Sequence, residues 1–412
     1  MTTMNPERLM ADLYHLRSIG RHGIGVARPA FSPADMEARR WLLGRMEEAG
    51  LDASMDGVGN VIGHSRNPGT ALLVGSHTDS QPTGGWLDGA LGVVYALEAA
   101  RVMAADSETS AFALDVVSWS DEEGTFMGTM GSKSFCEELI DSDVERALNL
   151  RTGQSLLEAL KEAGLENLPL ARLDPIRHIA YLEAHVEQGP YLEAEKKLLG
   201  VVTAIVGIRT FTIKFSGEQN HAGTTPMSCR KDAGMTLIKT AGLLDQELAK
   251  LAGPRSVWTV GRVVFEPGVP SVIPGKAELS LQFRDTDEAV LDRMRKGAER
   301  VVMEVNRMGP VTASIEPAFP EVAPAVMDEG IRRRLEEAAE NHAPGAWNVM
   351  PSGAGHDAQV LARHIPAGML FIPSIGGISH DIAEDTSEED IIRGCRAFVE
   401  AARGVLEEVQ SR

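Results

Sequence analysis

The sequence is short of basic residues, cysteine and long apolar runs. Lysine and arginine total 40 against 59 aspartates and glutamates, for a net charge of -19, which argues against a nucleic-acid partner because phosphate binding needs clustered basic residues. The three cysteines form no Cys-x-x-Cys pair, which favours a reducing compartment. No apolar run reaches membrane-spanning length, and the first ten residues lack the segments of a secretory signal. We therefore expect a cytoplasmic protein without a membrane partner.

The order of the predicted elements indicates two domains, as expected for a chain of 412 residues. Strands alternate with helices over residues 1–207 and again over 326–412, which predicts a discontinuous α/β domain with a mixed, largely parallel sheet flanked by helices. Residues 208–325 read strand, helix, strand, strand, helix, strand. This order predicts an inserted α+β domain of the split βαβ kind, with a four-stranded antiparallel sheet and two helices, serving as a lid or dimerisation module.

The stretch from Gly75 to Gly92 is the first candidate site. An apolar run ends at His77 and Asp79, and a Pro/Gly-rich loop then leads to Asp88 and a helical pattern. Chemistry in α/β proteins tends to lie beyond the carboxyl ends of strands, and histidine with carboxylates suits a divalent cation. Taken alone, a His-x-Asp stretch of this kind is more often a polar turn with a surface histidine.

Three further motifs each follow or contain an apolar segment. They are Trp-Ser-Asp-Glu-Glu-Gly at 119–124, Glu-Ala-His-Val-Glu-Gln-Gly-Pro at 183–190 and Ile-Gly-Gly-Ile-Ser-His-Asp-Ile-Ala-Glu at 375–384. Adjacent glutamates are usually a solvated pair, but beside a cation one can bind metal while the other takes a proton from water. Each histidine alone could be an inert core or loop residue. The ordered set is more specific than any of its parts.

With these motifs the chain resembles the M20-type metallopeptidase and amidohydrolase clan, and within it the N-carbamoyl-L-amino-acid hydrolase, β-ureidopropionase and allantoate amidohydrolase branch. The resemblance extends over nearly the whole chain and implies two metal ions, one held by His77, Asp88 and His185 and the other by Asp88, Glu123 and His380. It implies that Asp79 accepts the far N–H of His77, and that Glu122 is the general base and later the acid. Other members usually carry a carboxylate in place of His185, so a histidine here resembles the carbamoyl-cleaving branch.

The resemblance also implies residues that contact the substrate. His221, in the motif Asn220 to Pro226, would stabilise the oxyanion from the inserted domain, commonly across the interface of a homodimer. Asn220 would also contact the substrate. Gln188 would bind the carbamoyl end of the substrate. Arg284 would bind the substrate carboxylate through two hydrogen bonds, and an exposed strand-end arginine is the alternative.

The residues at three positions leave the identity of the substrate undecided. Ser271 stands where the branch usually has asparagine, and a hydroxyl lacks the reach and the two donors of an amide. Trp86 stands where relatives mostly carry a basic or polar residue, and it could line a substrate pocket or pack beneath the lid. His356 could contact the substrate or brace the metal shell.

These expectations combine into one predicted function. The protein is expected to use two divalent ions (zinc, manganese, cobalt or nickel) and a metal-bridged water activated by Glu122 to cleave the carbamoyl C–N bond of an N-carbamoyl L-amino acid or related ureido acid. The alternatives are an allantoate or ureidoglycine-type amidohydrolase and a hydrolase of N-acyl or aryl amides with the same site. A non-catalytic metal-binding protein is the least favoured.

Overall fold

The computed structural model describes residues 3–410; residues 1–2 and 411–412 of the predicted catalytic domain lie outside the described residues. The helices are α1 Pro6–Ser18, α2 Pro33–Glu48, α3 Ala90–Ala105, α4 Met130–Phe135, α5 Asp141–Arg146, α6 Leu156–Glu162, α7 Tyr191–Ala194, α8 Ala233–Leu251, α9 Glu288–Met308, α10 Glu329–His342, α11 Asp357–Leu361 and α12 Glu388–Gln410. Among the described residues, no helix combines the length and apolar character that crossing a bilayer requires.

The strands follow the same chain order. They are β1 Arg21–His22, β2 Gly25–Val26, β3 Asp52–Met55, β4 Val61–His64, β5 Ala71–His77, β6 Ala113–Trp119, β7 His178–Val186, β8 Leu199–Ile205, β9 Gly207–Ser216, β10 Asn220–His221, β11 Val257–Glu266, β12 Val272–Ile273, β13 Lys276–Asp285, β14 Thr312–Pro317, β15 Ala325–Val326, β16 Trp347–Ser352 and β17 Ala367–Ile372.

Local sequence signals explain where the helices start. In α2, the side chain of Ser32 accepts a hydrogen bond from the backbone N–H of Asp35, and Pro33 occupies the first turn, where its missing N–H costs nothing. Asp232 and Asp328 cap α8 and α10 in the same way. Ser32 followed by Pro33 is the sequence pattern that predicts a helix start, and the structure confirms this prediction.

The chain divides into two compact units, residues 3–203 with 326–410, and residues 204–325. The first unit contains a nine-stranded sheet in the order β15-β8-β17-β7-β5-β6-β4-β3, with β16 paired to β8. The four central strands β17, β7, β5 and β6 are parallel, whereas β8, β4 and β3 pair antiparallel. The predicted mixed sheet is confirmed, and its parallel part is the centre.

The central strands are buried along nearly their whole length, as parallel strands covered on both faces usually are. Every residue of β5 and of β6 is buried, and the side chains of α1, α3, α10 and α12 share one apolar cluster with this sheet. The register pairs His77 at the end of β5 with Trp119 at the end of β6. The residues that follow both strands therefore emerge at one edge of the sheet.

The second unit confirms the predicted order of strands and helices. Its four strands pair antiparallel in the order β11-β13-β9-β14, and α8 and α9 bury apolar side chains in the same cluster as these strands. A separate two-stranded pair joins β10 to β12. Three strands of the first unit that are longer than two residues, β7, β8 and β16, have no counterpart in the sequence-based expectations. Short apolar runs interrupted by polar residues do not distinguish a strand from a loop.

Candidate active site

Two buried histidines at the carboxyl edge of the central sheet have their tautomers set by backbone carbonyls. The Nδ1 of His77 lies 3.0 Å from the carbonyl oxygen of Asp79, and the Nδ1 of His185 lies 2.9 Å from that of Val186. A carbonyl can only accept, so each Nδ1 carries a proton and only Nε2 can offer a lone pair. The Nε2 of His185 indeed accepts the backbone N–H of Gly89 at 3.2 Å. Both imidazoles can therefore ligate a cation through Nε2.

Asp88 lies between these two histidines. Its Oδ1 is 3.0 Å from the Nε2 of His185 and 3.6 Å from the Nε2 of His77. Burial alone would raise the pKa of Asp88, but His185 and His77 outweigh burial and hold that pKa below its usual value. Burial lowers the pKa of His77 to about 4. In His185, the lowering by burial is exceeded by the effect of Asp88, and the pKa rises to about 9.

A second group of donors uses the other oxygen of Asp88. The Nε2 of His380 lies 3.5 Å from the Oδ2 of Asp88 and 3.4 Å from the Oε2 of Glu123. Gln81 orients Glu123, because its side-chain amide donates to Oε2 at 2.8 Å. His380 has φ of 56° and Gln188 has φ of 57°, and such left-handed conformations in non-glycine residues often mark functional sites.

The donor atoms fit two cations that share Asp88. In each group the three donor atoms lie within 4.8 Å of one another. Donors at the usual distances from one tetrahedral zinc ion are roughly 3.3–3.6 Å apart. The separations of 3.6, 3.5 and 3.4 Å fall within that range, and the separation of 3.0 Å between Asp88 and His185 is shorter. Nitrogen and carboxylate oxygen are suitable ligands for zinc, manganese, cobalt or nickel. The residues expected from the resemblance therefore gather into two groups that could each hold a metal ion.

Glu122 lies beside these donors. Its Oε2 is 3.5 Å from the Nε2 of His77. Burial first, and then the charges of Asp357, Glu123 and Asp88, raise the pKa of Glu122 well above its usual value. A carboxyl group with a raised pKa at this place is suited to take up a proton during a reaction.

The structure corrects the expected contact of Asp79. We expected its carboxylate to accept the far N–H of His77, but Oδ1 lies 3.8 Å from that Nδ1, beyond hydrogen-bond reach. The carbonyl of Asp79 takes this bond instead. The carboxylate accepts the backbone N–H groups of Glu122 at 3.4 Å and Glu123 at 3.2 Å. Asp79 thus holds both the histidine and the glutamate pair, because the turn after β5 directs its two acceptors to different neighbours.

Gln188 and His356 also lie among the candidate ligands. The side-chain amide of Gln188 donates to the Oδ2 of Asp88 at 3.1 Å and to the hydroxyl of Ser379 at 3.2 Å. His356 is buried, with its Nε2 2.8 Å from the hydroxyl of Ser352 and its ring 4.7 Å from that of His185, edge to face. These contacts favour the bracing alternative for His356.

Trp86 is engaged by neighbours within the first unit. Its ring stacks on Tyr14 at 5.6 Å, the guanidinium of Arg17 lies 4.5 Å from its centroid, and its Nε1 donates to Asp385 at 3.2 Å. The side chain is only 3% exposed. Packing against α1 explains this burial, so substrate contact by Trp86 stays a prediction without a supporting contact.

Four of the predicted residues lie on the second unit. Asn220 and His221 form β10, which pairs with Val272 and Ile273 beside Ser271, and the carbonyl of Ser271 accepts the N–H of Ala222 at 2.9 Å. The exposed His221 accepts the N–H groups of Gly223 and Thr224 at its Nδ1. Its Nε2 is therefore the protonated nitrogen and can donate a hydrogen bond.

Arg284 is on β13 of the second unit and is half-buried. Its Nε and one terminal nitrogen both donate to the side-chain oxygen of Gln282, at 3.1 and 3.0 Å. Burial lowers its pKa, although an arginine stays charged at neutral pH.

A third cluster with possible ligands was not expected from the sequence. His64, Asp115 and His178 come together near the amino ends of β6 and β7. Arg177, however, donates two hydrogen bonds of 2.7 Å to the carboxylate of Asp115, and the Nδ1 of His178 accepts the N–H of Asp174 at 3.3 Å, which leaves the proton on Nε2. The guanidinium supplies the positive charge that a metal would bring, so we interpret this cluster as an ion-pair network.

Comparison with known proteins agrees with this geometry. The model of peptidase family M20/M25/M40 matches residues 73–404. The chain is 35% identical to allantoate amidohydrolase of Escherichia coli (strain K12), over 91% of each chain, and 36% identical to an N-carbamoyl-L-amino acid amidohydrolase of Geobacillus stearothermophilus, over 95% of this chain and 96% of the relative. A crystal structure of an amidase (hydantoinase/carbamoylase family) from Burkholderia phymatum is similar, with a TM-score of 0.91, 50% identity and 99% coverage of each chain.

Proposed function

The chain belongs to peptidase family M20/M25/M40 and is a metal-dependent amidohydrolase; from this premise we propose that it hydrolyses the carbamoyl C–N bond of an N-carbamoyl L-amino acid or a related ureido acid. The observation that carries the proposal is the sharing of Asp88 by two groups of donors, with Glu122 beside them. His185 adds support, because a histidine in its place resembles the carbamoyl-cleaving branch. The products would be the amine, carbon dioxide and ammonia.

In the proposed mechanism, His77, Asp88 and His185 would hold one divalent ion and Asp88, Glu123 and His380 the other. When bound, such ions lower the pKa of water and polarise a carbonyl group. Glu122 would take the proton from the attacking water and deliver it to the departing nitrogen, which breaks the C–N bond.

The second unit would supply substrate contacts. His221, with its proton on Nε2, would donate to the carbonyl oxygen as negative charge develops there. Arg284 would bind the substrate carboxylate through its planar fork, and this would require its bonds to Gln282 to be exchanged or shared. Asn220 lies on β10 beside His221, and Ser271 directly precedes the paired strand β12; both would complete this side of the substrate.

The direct test is ammonia release from a panel of N-carbamoyl L-amino acids, before and after chelation, with zinc, manganese, cobalt and nickel added back separately. Release that is lost with the chelator and regained with at least one metal is expected. No release from any carbamoyl substrate with any metal would contradict the proposal.

A second candidate substrate is allantoate, because a relative at 35% identity is named allantoate amidohydrolase. Allantoate contains the same type of carbamoyl C–N bond, and its hydrolysis would need the same two groups of metal ligands. Comparing kcat/KM for allantoate with that for the carbamoyl panel separates the two, since the favoured substrate should give the larger value.

We also propose that the protein is a homodimer paired through the second unit, with His221 acting in the partner's site. Supporting this, β11 is an edge strand on which Val257, Val260 and Val263 are exposed, and such an edge can pair with another chain. Mixing the inactive variants Glu122→Gln and His221→Ala should restore part of the activity. If heterodimers form but no activity is recovered, His221 acts in the site of its own subunit.

The cytoplasmic location stays part of the proposal. The three cysteines are free thiols, Cys136 and Cys395 buried and Cys229 exposed, as is usual in a reducing compartment. Fractionation of cells that produce the protein would test this location.

A further inference from the structure

The loop that carries Asp88 has little regular structure to hold it in place. Between the end of β5 and the start of α3, the described residues contain one isolated bridge, which joins Gly84 to Val26. Asp88 lies four residues beyond this bridge, yet both of its oxygens must be placed accurately if it is shared by two cations. Metal ligands tolerate errors of only about 0.2 Å, so other contacts have to fix this backbone.

Glu384 provides those contacts from a distant part of the chain. Its Oε1 accepts the backbone N–H of Asp88 at 3.0 Å and that of Leu87 at 3.4 Å. Its Oε2 accepts the hydroxyl of Ser379 at 2.7 Å, and Ser379 directly precedes His380. One carboxylate therefore joins the backbone of the shared ligand to the loop of a second ligand.

The approach of the two loops is close enough to require glycine at position 85. A Cβ on Gly85 would lie 2.0 Å from the Oε1 of Glu384 and 2.2 Å from its Cδ. Any larger residue would push the carboxylate away from the N–H groups that it accepts. The Gly85 backbone and the Glu384 side chain are thus matched to each other.

The contacts of Glu384 continue to the side chain of Asp88. Ser379 donates to Glu384 and accepts from the amide of Gln188, which also donates to the Oδ2 of Asp88. The ring of hydrogen bonds therefore constrains both the backbone and the carboxylate of Asp88. Glu384 is 2% exposed, and among the described residues no Lys or Arg forms a salt bridge with it, so these hydrogen bonds are what offset the cost of burying it.

We propose that Glu384 is a positioning residue, which holds Asp88 and the loop of His380 in the arrangement where both can bind the same ion. The inference rests on the proposed metal-binding role of Asp88 and His380. Glu384 itself would contact neither the ion nor the substrate. It acts through Asp88, Ser379 and Gln188.

The experiment measures metal binding by the full-length apoprotein, without any substrate. Zinc affinity and stoichiometry are measured by competition with a chromophoric chelator, and the visible absorption of the cobalt-loaded protein reports the geometry of the ligands. Glu384→Ala should weaken the second ion by about 10- to 100-fold, the usual effect of removing a residue that orients metal ligands, and should change the cobalt spectrum. Glu384→Gln should restore most of the affinity, because its oxygen can accept both N–H groups and its amide can donate to Ser379.

A matched control separates positioning from general destabilisation. Asp106 is also buried and accepts a backbone N–H, that of Glu108 at 3.0 Å, but it follows α3 at the end opposite Asp88, about 24 Å along the helix axis. Asp106→Ala should lower the unfolding temperature without changing the cobalt spectrum. Equal loss of metal in Asp106→Ala and Glu384→Ala would overturn the inference.

Two further outcomes are decisive. Parent-like binding of both ions by Glu384→Ala would overturn the inference; if that variant does not fold, parent-like binding by Glu384→Asp would do so, since the shorter side chain cannot keep all three contacts. A parent protein that takes up no divalent ion would instead overturn the proposed function and, with it, this inference.

Discussion

Gly89 lies against the edge of His77 that is proposed to bind a metal ion, and replacing Gly89 with alanine tests this proposal sharply. A Cβ on Gly89 would come within 2.4 Å of the Cδ2, Cε1 and Nε2 atoms of the His77 ring. Carbon atoms in contact are normally about 3.5–4.0 Å apart, so the ring would have to move by roughly 1 Å. On its other side, Nδ1 is bonded to the carbonyl of Asp79 at 3.0 Å.

The size of this displacement determines the expected result. Metal ligands must lie within about 0.2 Å of their usual distances, and a shift about five times larger removes His77 as a ligand of the first ion. Gly89→Ala should therefore bind one ion much more weakly than the parent, and turnover should fall with it. The affinity is measured by isothermal titration of the apoprotein with zinc, with unfolding temperature measured in parallel.

Backbone strain is a separate effect that a control variant isolates. Gly89 has φ of 65° and Gly164 has φ of 75°, but a Cβ on Gly164 would have no atom within 4 Å. Gly164→Ala should lose about 1–2 kcal/mol from the positive φ. Gly89→Ala should lose at least as much, because its ψ of −47° lies outside the left-handed helical region, and only Gly89→Ala should lose metal. Parent-like zinc binding by Gly89→Ala would refute the placement of His77, and equal metal loss in both variants would refute the steric explanation.

Three other predictions test separate features. Glu122→Gln should retain both ions, measured by elemental analysis, while kcat falls by about 10²- to 10⁴-fold as expected for loss of a general base; unchanged turnover would remove Glu122 from the mechanism. Arg284→Lys should raise KM for a carboxylate substrate by roughly 10- to 100-fold, since it loses a charged bidentate pair, but should not affect an analogue without the carboxylate; equal KM for both enzymes would exclude the proposed contact. Asp115→Asn should destabilise the protein throughout the range from pH 8 to pH 5, because His178, His64 and Arg177 hold the pKa of Asp115 below its usual value of 3.8 despite burial. A carboxylate with a lowered pKa contributes stability above its unfolded-state pKa and loses that contribution as pH falls through its folded-state pKa. The difference in unfolding temperature between the parent and Asp115→Asn should therefore narrow only below about pH 3.8. Narrowing of this difference near neutral pH would contradict this account.

The sequence alone predicted most of the elements around the site. The apolar run that leads to His77 predicts a strand, and the structure has a strand there over Ala71–His77. The element order of residues 208–325 also predicted the antiparallel sheet and two helices of the second unit. These features depend on local hydrophobic periodicity and capping, which neighbouring residues determine.

The residue types at the candidate metal groups were also evident from the sequence, since each motif follows or lies within an apolar segment. The strand order was not, and neither was the gathering of His64, Asp115 and His178, which come from three strands. Their proximity depends on how β4, β6 and β7 pair, and pairing is a property of the whole sheet.

Tertiary structure alone decided which atoms pair around the ligands. Asp79 contacts His77 through its carbonyl, and its carboxylate holds the glutamate turn instead. Glu384 reaches Asp88 from 296 residues away in the chain. The sequence determined the chemical groups that this protein brings to its site. Their partners depend on shifts of about an ångström between distant loops, because hydrogen bonds weaken steeply outside a narrow range of distance and angle, and only the folded chain fixes such distances.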